Sequence, residues 1–241
     1  MGRDDLGRGA LPVRRIEEQP LAPAARSVWP ATLAPVRQVL DEGLDLGAVT
    51  VLTGENGVGK STLVEAIAVA YGMNPEGGST GAMHATRASE SPLSEHLRLV
   101  RGAGASKRGF FLRAETMHGF YTYLEEVGIG APLHERSHGE SFLELVGERT
   151  GIRGLWILDE PESALSVSGC LALLGLLREV VANGSQVILS THSPILAAFP
   201  GADLRELGAW GVRSSTYDDL DLVRTWRLFL EAPGRFLRHL D

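Results

Sequence analysis

Residues Gly54-Glu55-Asn56-Gly57-Val58-Gly59-Lys60-Ser61 surrender side-chain packing in favour of exposed backbone. They fit G-x-x-x-x-G-K-[ST], with Thr62 next in line. Glycines let consecutive N–H groups curl inward around an anion where a Cβ would intrude. Lys60 adds a point charge directed at the outer phosphates of a nucleotide, and the Ser61 hydroxyl suits Mg²⁺. A second pattern lies at 155–160, where Leu-Trp-Ile-Leu runs into Asp159 and Glu160. A carboxylate at the C-terminal end of a parallel strand points into the ligand crevice. Asp159 there is a holder of Mg²⁺, directly or through water. Glu160 is placed to polarise a water for attack on a γ-phosphate. Each pattern has an ordinary alternative: a glycine-rich turn for the first, an acidic turn before Pro161 for the second. Together they favour phosphate chemistry.

The elements that must position these groups follow from periodicity. AVTVLT (48–53) reads as a buried strand leading into the glycine-rich turn, and STLVEAIAVAY (61–71) as the helix it opens. The N-terminus of that helix presents free N–H groups and the positive end of its dipole to an anion. GFFLRAE (109–115), GLWILDE (154–160) and SQVILSTHS (185–193) read as further strands. VRRIEE (13–18), ADLREL and AWGVRS are shorter candidates, and VRQVLDEGL (36–44) reads as a helical turn or loop. TMHGFYTYLEEV (116–127), ESFLELVGERT (140–150), SVSGCLALLGLLREVVANG (166–184), DLVRTWRLFLE and RFLRHL carry helical patterns. Apolar strands alternating with helices predict an α/β fold with a mostly parallel sheet covered on both faces. Residues 1–28 read as a loose N-terminal segment. Residues 72–108 are rich in Gly and Ser, long for a structureless connection, and read as a functional or mobile insert.

Bulk properties narrow the class. The 241 residues, 44% hydrophobic and 22% charged, suit a single domain spanning 1–241. The lone cysteine, Cys170, excludes an internal disulfide, fits a reducing compartment and reads as packed core. No apolar run reaches membrane-spanning length, and MGRDDLGRGALPVRRIEEQ has no h-region, so the expected location is cytoplasmic. A net charge of −7 does not favour nucleic acid as a partner. Only two lysines occur, and one of them is Lys60.

LDEP after an apolar strand, downstream of such a phosphate loop, resembles the ATP-binding cassette (ABC) class of P-loop ATPases across roughly residues 48–200. More narrowly, GENGVGKST, GFFLRAE, HERSHGESFLEL, LDEPESALS and STHSPILAAFPGA in that order resemble small bacterial AAA-family ATPases of the AAA_21-like kind. The resemblance implies a P-loop NTPase fold with a small antiparallel β part. It also implies a reduced helical lobe, within a variable and helical insert at 72–140 that carries the class signature. Ser137, Gly139 and Glu140 stand where that signature, a Ser-x-Gly segment opening a helix, caps the γ-phosphate of ATP held by the other subunit. Ser137-x-x-Glu140 is equally a plain capping box. His192, after strand QVILS, matches the class's switch histidine, whose imidazole hydrogen-bonds the γ-phosphate. Trp29 is a candidate for stacking on adenine, with packing at a domain edge as the alternative.

Two positions depart from the class. Glu115 stands where it usually has glutamine, either as a ligand of Mg²⁺ or water or as a helix-start acid. Ser166 stands where the loop after the two acids usually has aspartate. The implied activity is hydrolysis of ATP to ADP and phosphate, with Mg²⁺, in a nucleotide-gated head-to-tail homodimer that drives or gates an unknown protein partner. The alternatives are an ATP-dependent switch with little turnover, or the ATPase subunit of a DNA-maintenance or transport complex. About twenty residues separate Glu115 from Ser137, little room for the larger lobe or coiled-coil arms of those complexes.

Overall fold

The computed structural model describes residues 11–80, 91–113 and 138–238. Its order is β1 (Arg15–Glu18), α1 (Ala34–Glu42), β2 (Leu44–Asp45), β3 (Val49–Gly54), α2 (Lys60–Tyr71), β4 (Gly78–Ser79), β5 (Leu97–Val100), β6 (Gly109–Arg113), α3 (His138–Arg149), β7 (Leu155–Asp159), α4 (Val167–Ala182), β8 (Gln186–Ser190), α5 (Pro194–Ala197), β9 (Asp203–Gly208), β10 (Gly211–Ser215), α6 (Asp221–Glu231) and α7 (Pro233–Leu237). Short 3₁₀ turns lie at Pro92–His96, Pro161–Ala164 and Tyr217–Asp219.

The main sheet has seven strands in the order β10-β9-β3-β8-β7-β6-β4. The run from β9 to β6 is parallel, and β10 and β4 close its edges antiparallel. This is the α/β architecture expected from the apolar strands. Side-chain alternation splits the core into two layers. Phe110, Trp156, Leu158, Val187 and Leu189 face α4 and α5. Phe111, Leu155, Ile157 and Ile188 face α1 and α2. Cys170 is buried in the first layer.

Trp156 anchors that first layer. It is fully buried, meets Phe110 edge-on with centroids 5.2 Å apart, and its indole N–H donates to the Ile152 carbonyl at 3.1 Å. Trp156→Ala deletes this volume and leaves the Ile152 carbonyl without that donor. It is expected to cost about 3–5 kcal/mol, read as a lowered midpoint in urea unfolding.

A second, three-stranded antiparallel sheet has the order β2-β1-β5. It corrects two expectations. Residues 72–108 are not one structureless insert: Leu97–Val100 pairs with β1 in the register Glu18↔Leu97 to Arg15↔Val100, and Gly78–Ser79 pairs with β6. Nor are residues 11–28 loose. Val13 and Ile16 are fully buried. The Gln186 side chain donates to the carbonyls of Val13 and Gly47 at 2.6 and 2.9 Å and accepts from the Val13 N–H at 2.9 Å. Such partners, remote in sequence, leave no local pattern. VRQVLDEGL resolves into α1, which starts at Ala34 with Pro35 in its first turn and buries Val36, Val39 and Leu40. The helical reading of 116–127 and the reduced lobe fall outside the described residues.

Candidate functional site

Three strands end side by side at the C-terminal edge of the parallel sheet, and each delivers chemistry there. β3 turns directly into the glycine-rich loop. Gly54 has φ 140°, and a Cβ on it would lie 2.2 Å from the Leu207 carbonyl of β9, so the strand can leave the sheet at this point only as glycine. Gly59 caps α2 with φ 107° and ψ 13°, its α-carbon facing Leu33 and Val36 at the start of α1. No side chain caps α2, so its first N–H groups and dipole face the loop's concavity. Glu55, Asn56 and Gly57 form the exposed rim, while Val58 packs inward against the α1–α2 layer. Ser61 and Thr62 open the helix, half-buried.

Lys60 is buried, with 3% of its side chain exposed, and folds back across the loop. Its ammonium donates to the carbonyls of Gly54 and Glu55 at 3.0 and 3.1 Å and to His192 Nε2 at 2.7 Å, and lies 3.7 Å from Glu160 Oε1. Burial pushes its pKa below the usual lysine value, opposed by the charges of Glu160, Asp159, Glu162 and Glu55. Glu160 Oε1 also lies 3.2 Å from His192 Nε2. The loop lysine, the acid after β7 and the histidine after β8 therefore form one contact cluster from three separate segments.

Glu160 is the one non-glycine residue with positive φ among the described residues, at φ 47° and ψ 50°. That left-handed turn costs roughly 1–2 kcal/mol for a side chain with a Cβ. It is held by the Glu160 N–H donating to Ser190 O at 3.1 Å and by the Ser163 N–H and hydroxyl donating to Glu160 O at 3.1 and 2.9 Å. Reversing the chain at this residue turns the carboxylate off the strand axis toward Lys60.

Asp159 is 4% exposed. One carboxylate oxygen accepts from the Ser190 hydroxyl, and the other lies 3.6 Å from Arg113 Nε. The Ser61 hydroxyl lies near enough to this carboxylate to favour its charged form. Burial pushes the Asp159 carboxyl above its usual range, and Ser190, Arg113 and Ser61 partly offset this. Ser61 and Asp159 thus place hard oxygen donors together, the kind Mg²⁺ takes.

Sequence reasoning passed over three participants. Glu162 accepts from the His192 N–H at 2.5 Å, and burial raises its pKa. Ser190 ends β8 beneath Asp159. Arg113 ends β6 and pairs with Glu65 of α2 at 2.8 Å. Nothing in GFFLR marked Arg113 for this place, because its partners come from β7 and α2. Ser166 accepts from the Gly169 N–H at 3.1 Å as the N-cap of α4, which gives the departure from aspartate a local role. Gly139 lies in the first turn of α3. Ser137 and Glu115, and the side chain of Glu140, lie outside the described residues. Trp29 is 48% exposed in the segment leading to α1, away from the packed core.

No family model matches the chain. A cytochrome c biogenesis ATP-binding export protein CcmA from Mesorhizobium japonicum is 31% identical over 189 residues, covering 67% of this chain and 86% of the relative. The chain belongs to the ATP-binding cassette class of P-loop ATPases. The corresponding protein of Rhizobium etli is 28% identical over 199 residues, 70% of this ATPase and 89% of that protein. Among solved structures, the SMC head domain from Thermotoga maritima aligns over 72% of this ATPase and 93% of its own length, with 17% identity and a TM-score of 0.45. A putative metal-chelate type ABC transporter in an inward-facing conformation aligns over 74% and 76%, with 16% identity and a TM-score of 0.45. Among the described residues of the ATPase, no helix is long and apolar enough to cross a membrane.

Proposed function

We propose that this ATPase works as a nucleotide-gated head-to-tail homodimer within the single domain 1–241, hydrolysing ATP to gate or drive a protein partner. The observation that carries this reading is the cluster of Lys60, Glu160 and His192 beside the uncapped N-terminus of α2. The backbone of residues 54–60 receives the phosphates, and Lys60 moves from the carbonyls of Gly54 and Glu55 to the outer phosphate oxygens. Asp159 and Ser61 would hold Mg²⁺, which supplies charge neutralisation at the phosphate chain. Glu160 orients and polarises the attacking water and accepts its proton. His192 donates to the γ-phosphate and registers its loss. Glu162, bonded to the His192 backbone, ties that histidine to the turn bearing Glu160.

The second face of each site would come from the other copy, through Ser137 and through Gly139 in the first turn of α3, with Glu140 completing the cap. Glu115, following β6, is a further candidate ligand of Mg²⁺ or its water. Within the class, the resemblance of its five ordered motifs is the ground for proposing an AAA_21-like member. Mixing two inactive variants tests the trans arrangement. Lys60→Ala protein and Ser137→Arg protein are each expected to be nearly inert. A mixed head-to-tail dimer gathers both lesions in one site and leaves the other intact. Equal mixing should therefore restore about a quarter of wild-type phosphate release if dimers form at random. No recovery would exclude a shared site.

A second reading is favoured by the description of its relatives as export proteins. Here the ATPase powers a membrane-embedded partner, and the dimer forms against it. Co-purification with an integral membrane protein from mild detergent distinguishes this from a free-standing dimer.

A further inference from the structure

Arg113 stands directly opposite Asp159 in the register of β6 and β7. Its guanidinium spans two carboxylates: Nη1 meets Glu65 Oε2 at 2.8 Å, and Nε lies 3.6 Å from Asp159 Oδ2. Glu65 belongs to α2, the helix that starts at the phosphate loop, whereas Asp159 ends β7. Both acids are nearly enclosed, with side chains 7% and 4% exposed. A buried carboxylate needs a nearby countercharge, and at Asp159 the guanidinium supplies it from within the protein.

We propose that Arg113 is a resident cation that occupies the field of Asp159 until a metal-bound nucleotide displaces it, with Glu65 as its second berth. This rests on the reading of Asp159 as the Mg²⁺ holder. Two cations compete for one carboxylate group. A bare divalent ion gives up its water reluctantly and finds Asp159 already neutralised. An ion carried in on phosphate oxygens brings its own counter-anion and wins the exchange. Arg113 then keeps its contact with Glu65, so no buried guanidinium is stranded. The consequence is order: the metal joins Asp159 together with the nucleotide rather than before it. Arg113 acts through Asp159, so it is a positioning residue.

The test uses Mn²⁺ as the probe, its free concentration followed by electron paramagnetic resonance, on the full chain with and without a non-hydrolysable ATP analogue. Arg113→Met should bind Mn²⁺ without nucleotide about tenfold more tightly than wild type, since an opposite charge at this range shifts a carboxylate by an order of magnitude or more. Arg113→Lys, which keeps the charge, should stay near wild type. Glu65→Gln, which removes the Glu65 countercharge from the guanidinium and leaves its attraction to Asp159, should weaken Mn²⁺ binding. Fluorescent-ATP affinity gives a second readout. In EDTA, Arg113→Met should bind ATP less tightly, because the charge of Asp159 then faces the phosphates bare. With Mn²⁺ present that deficit should vanish. Unchanged or weaker Mn²⁺ binding by Arg113→Met, or an equal loss of ATP affinity with and without metal, overturns the proposal. Should Arg113→Met fail to fold, Glu65→Gln decides alone, and Mn²⁺ binding as tight as wild type or tighter overturns it. Asp159→Asn separates the two layers: if Mn²⁺ in the nucleotide complex survives it, Asp159 is not the holder and the underlying reading falls, whereas its loss leaves the Arg113 result to stand by itself.

Discussion

Glu160→Gln retains ATP and stops turning it over. The substitution keeps the shape of the side chain and the left-handed turn at φ 47°, so the loop from β7 to α4 keeps its hydrogen bonds to Ser190 and Ser163. It removes the carboxylate that, on the proposed reading, accepts the proton of the attacking water. General-base catalysis is worth about 10²–10⁴-fold, and phosphate release should fall by that factor. Nucleotide affinity should hold or rise, because one negative charge leaves the vicinity of the phosphates. Light scattering should find the variant dimeric with ATP and Mg²⁺ and monomeric without them. A variant that elutes as a monomer in both conditions rules out nucleotide gating. One that turns over near the wild-type rate removes Glu160 from the chemistry.

Lys60→Ala attacks binding rather than turnover. The wild-type ammonium is buried and has its partners at 2.7–3.1 Å already in place, so reaching the phosphates costs it no new desolvation. Charge-assisted hydrogen bonds are about twice as strong as neutral ones. Losing them at two or more phosphate oxygens should weaken nucleotide binding on the order of a hundredfold. The fold should survive, since alanine is the best helix former at the first position of α2 and the loop glycines are untouched. Isothermal titration with ATP, alongside circular dichroism, checks both halves. Undiminished affinity would mean that the loop is a structural turn.

Features written in contiguous residues were legible before the structure. The loop at 54–61 and the acids at 159–160 are short, and each must follow a strand, so their spacing alone carried both fold class and chemistry. Whatever depends on register between distant segments was not. Arg113 meets Asp159 because β6 and β7 align those residues, and nothing within GFFLR announces it. Glu162 lies in the 3₁₀ turn after β7, yet its carboxylate accepts from a backbone N–H in the loop after β8. LRLV at 97–100 has, among the described residues, only β1 for a partner and sits between polar stretches, so its pattern was lost in the length of 72–108. The anchoring of residues 11–28 rests on the amide of Gln186, 173 positions from Val13.

The nest that Lys60 occupies makes the protein its own competitor. With two carbonyls, an imidazole and a carboxylate already around the ammonium, an arriving nucleotide swaps partners with the lysine instead of rescuing a stranded charge. The net gain is smaller than the bare attraction between lysine and phosphate suggests. The same swap run backwards gives the departing product a ready substitute, so emptying the cleft leaves no orphaned ion behind. An engine that must reset after every stroke gains speed from a ligand held no more firmly than its own side chains can replace.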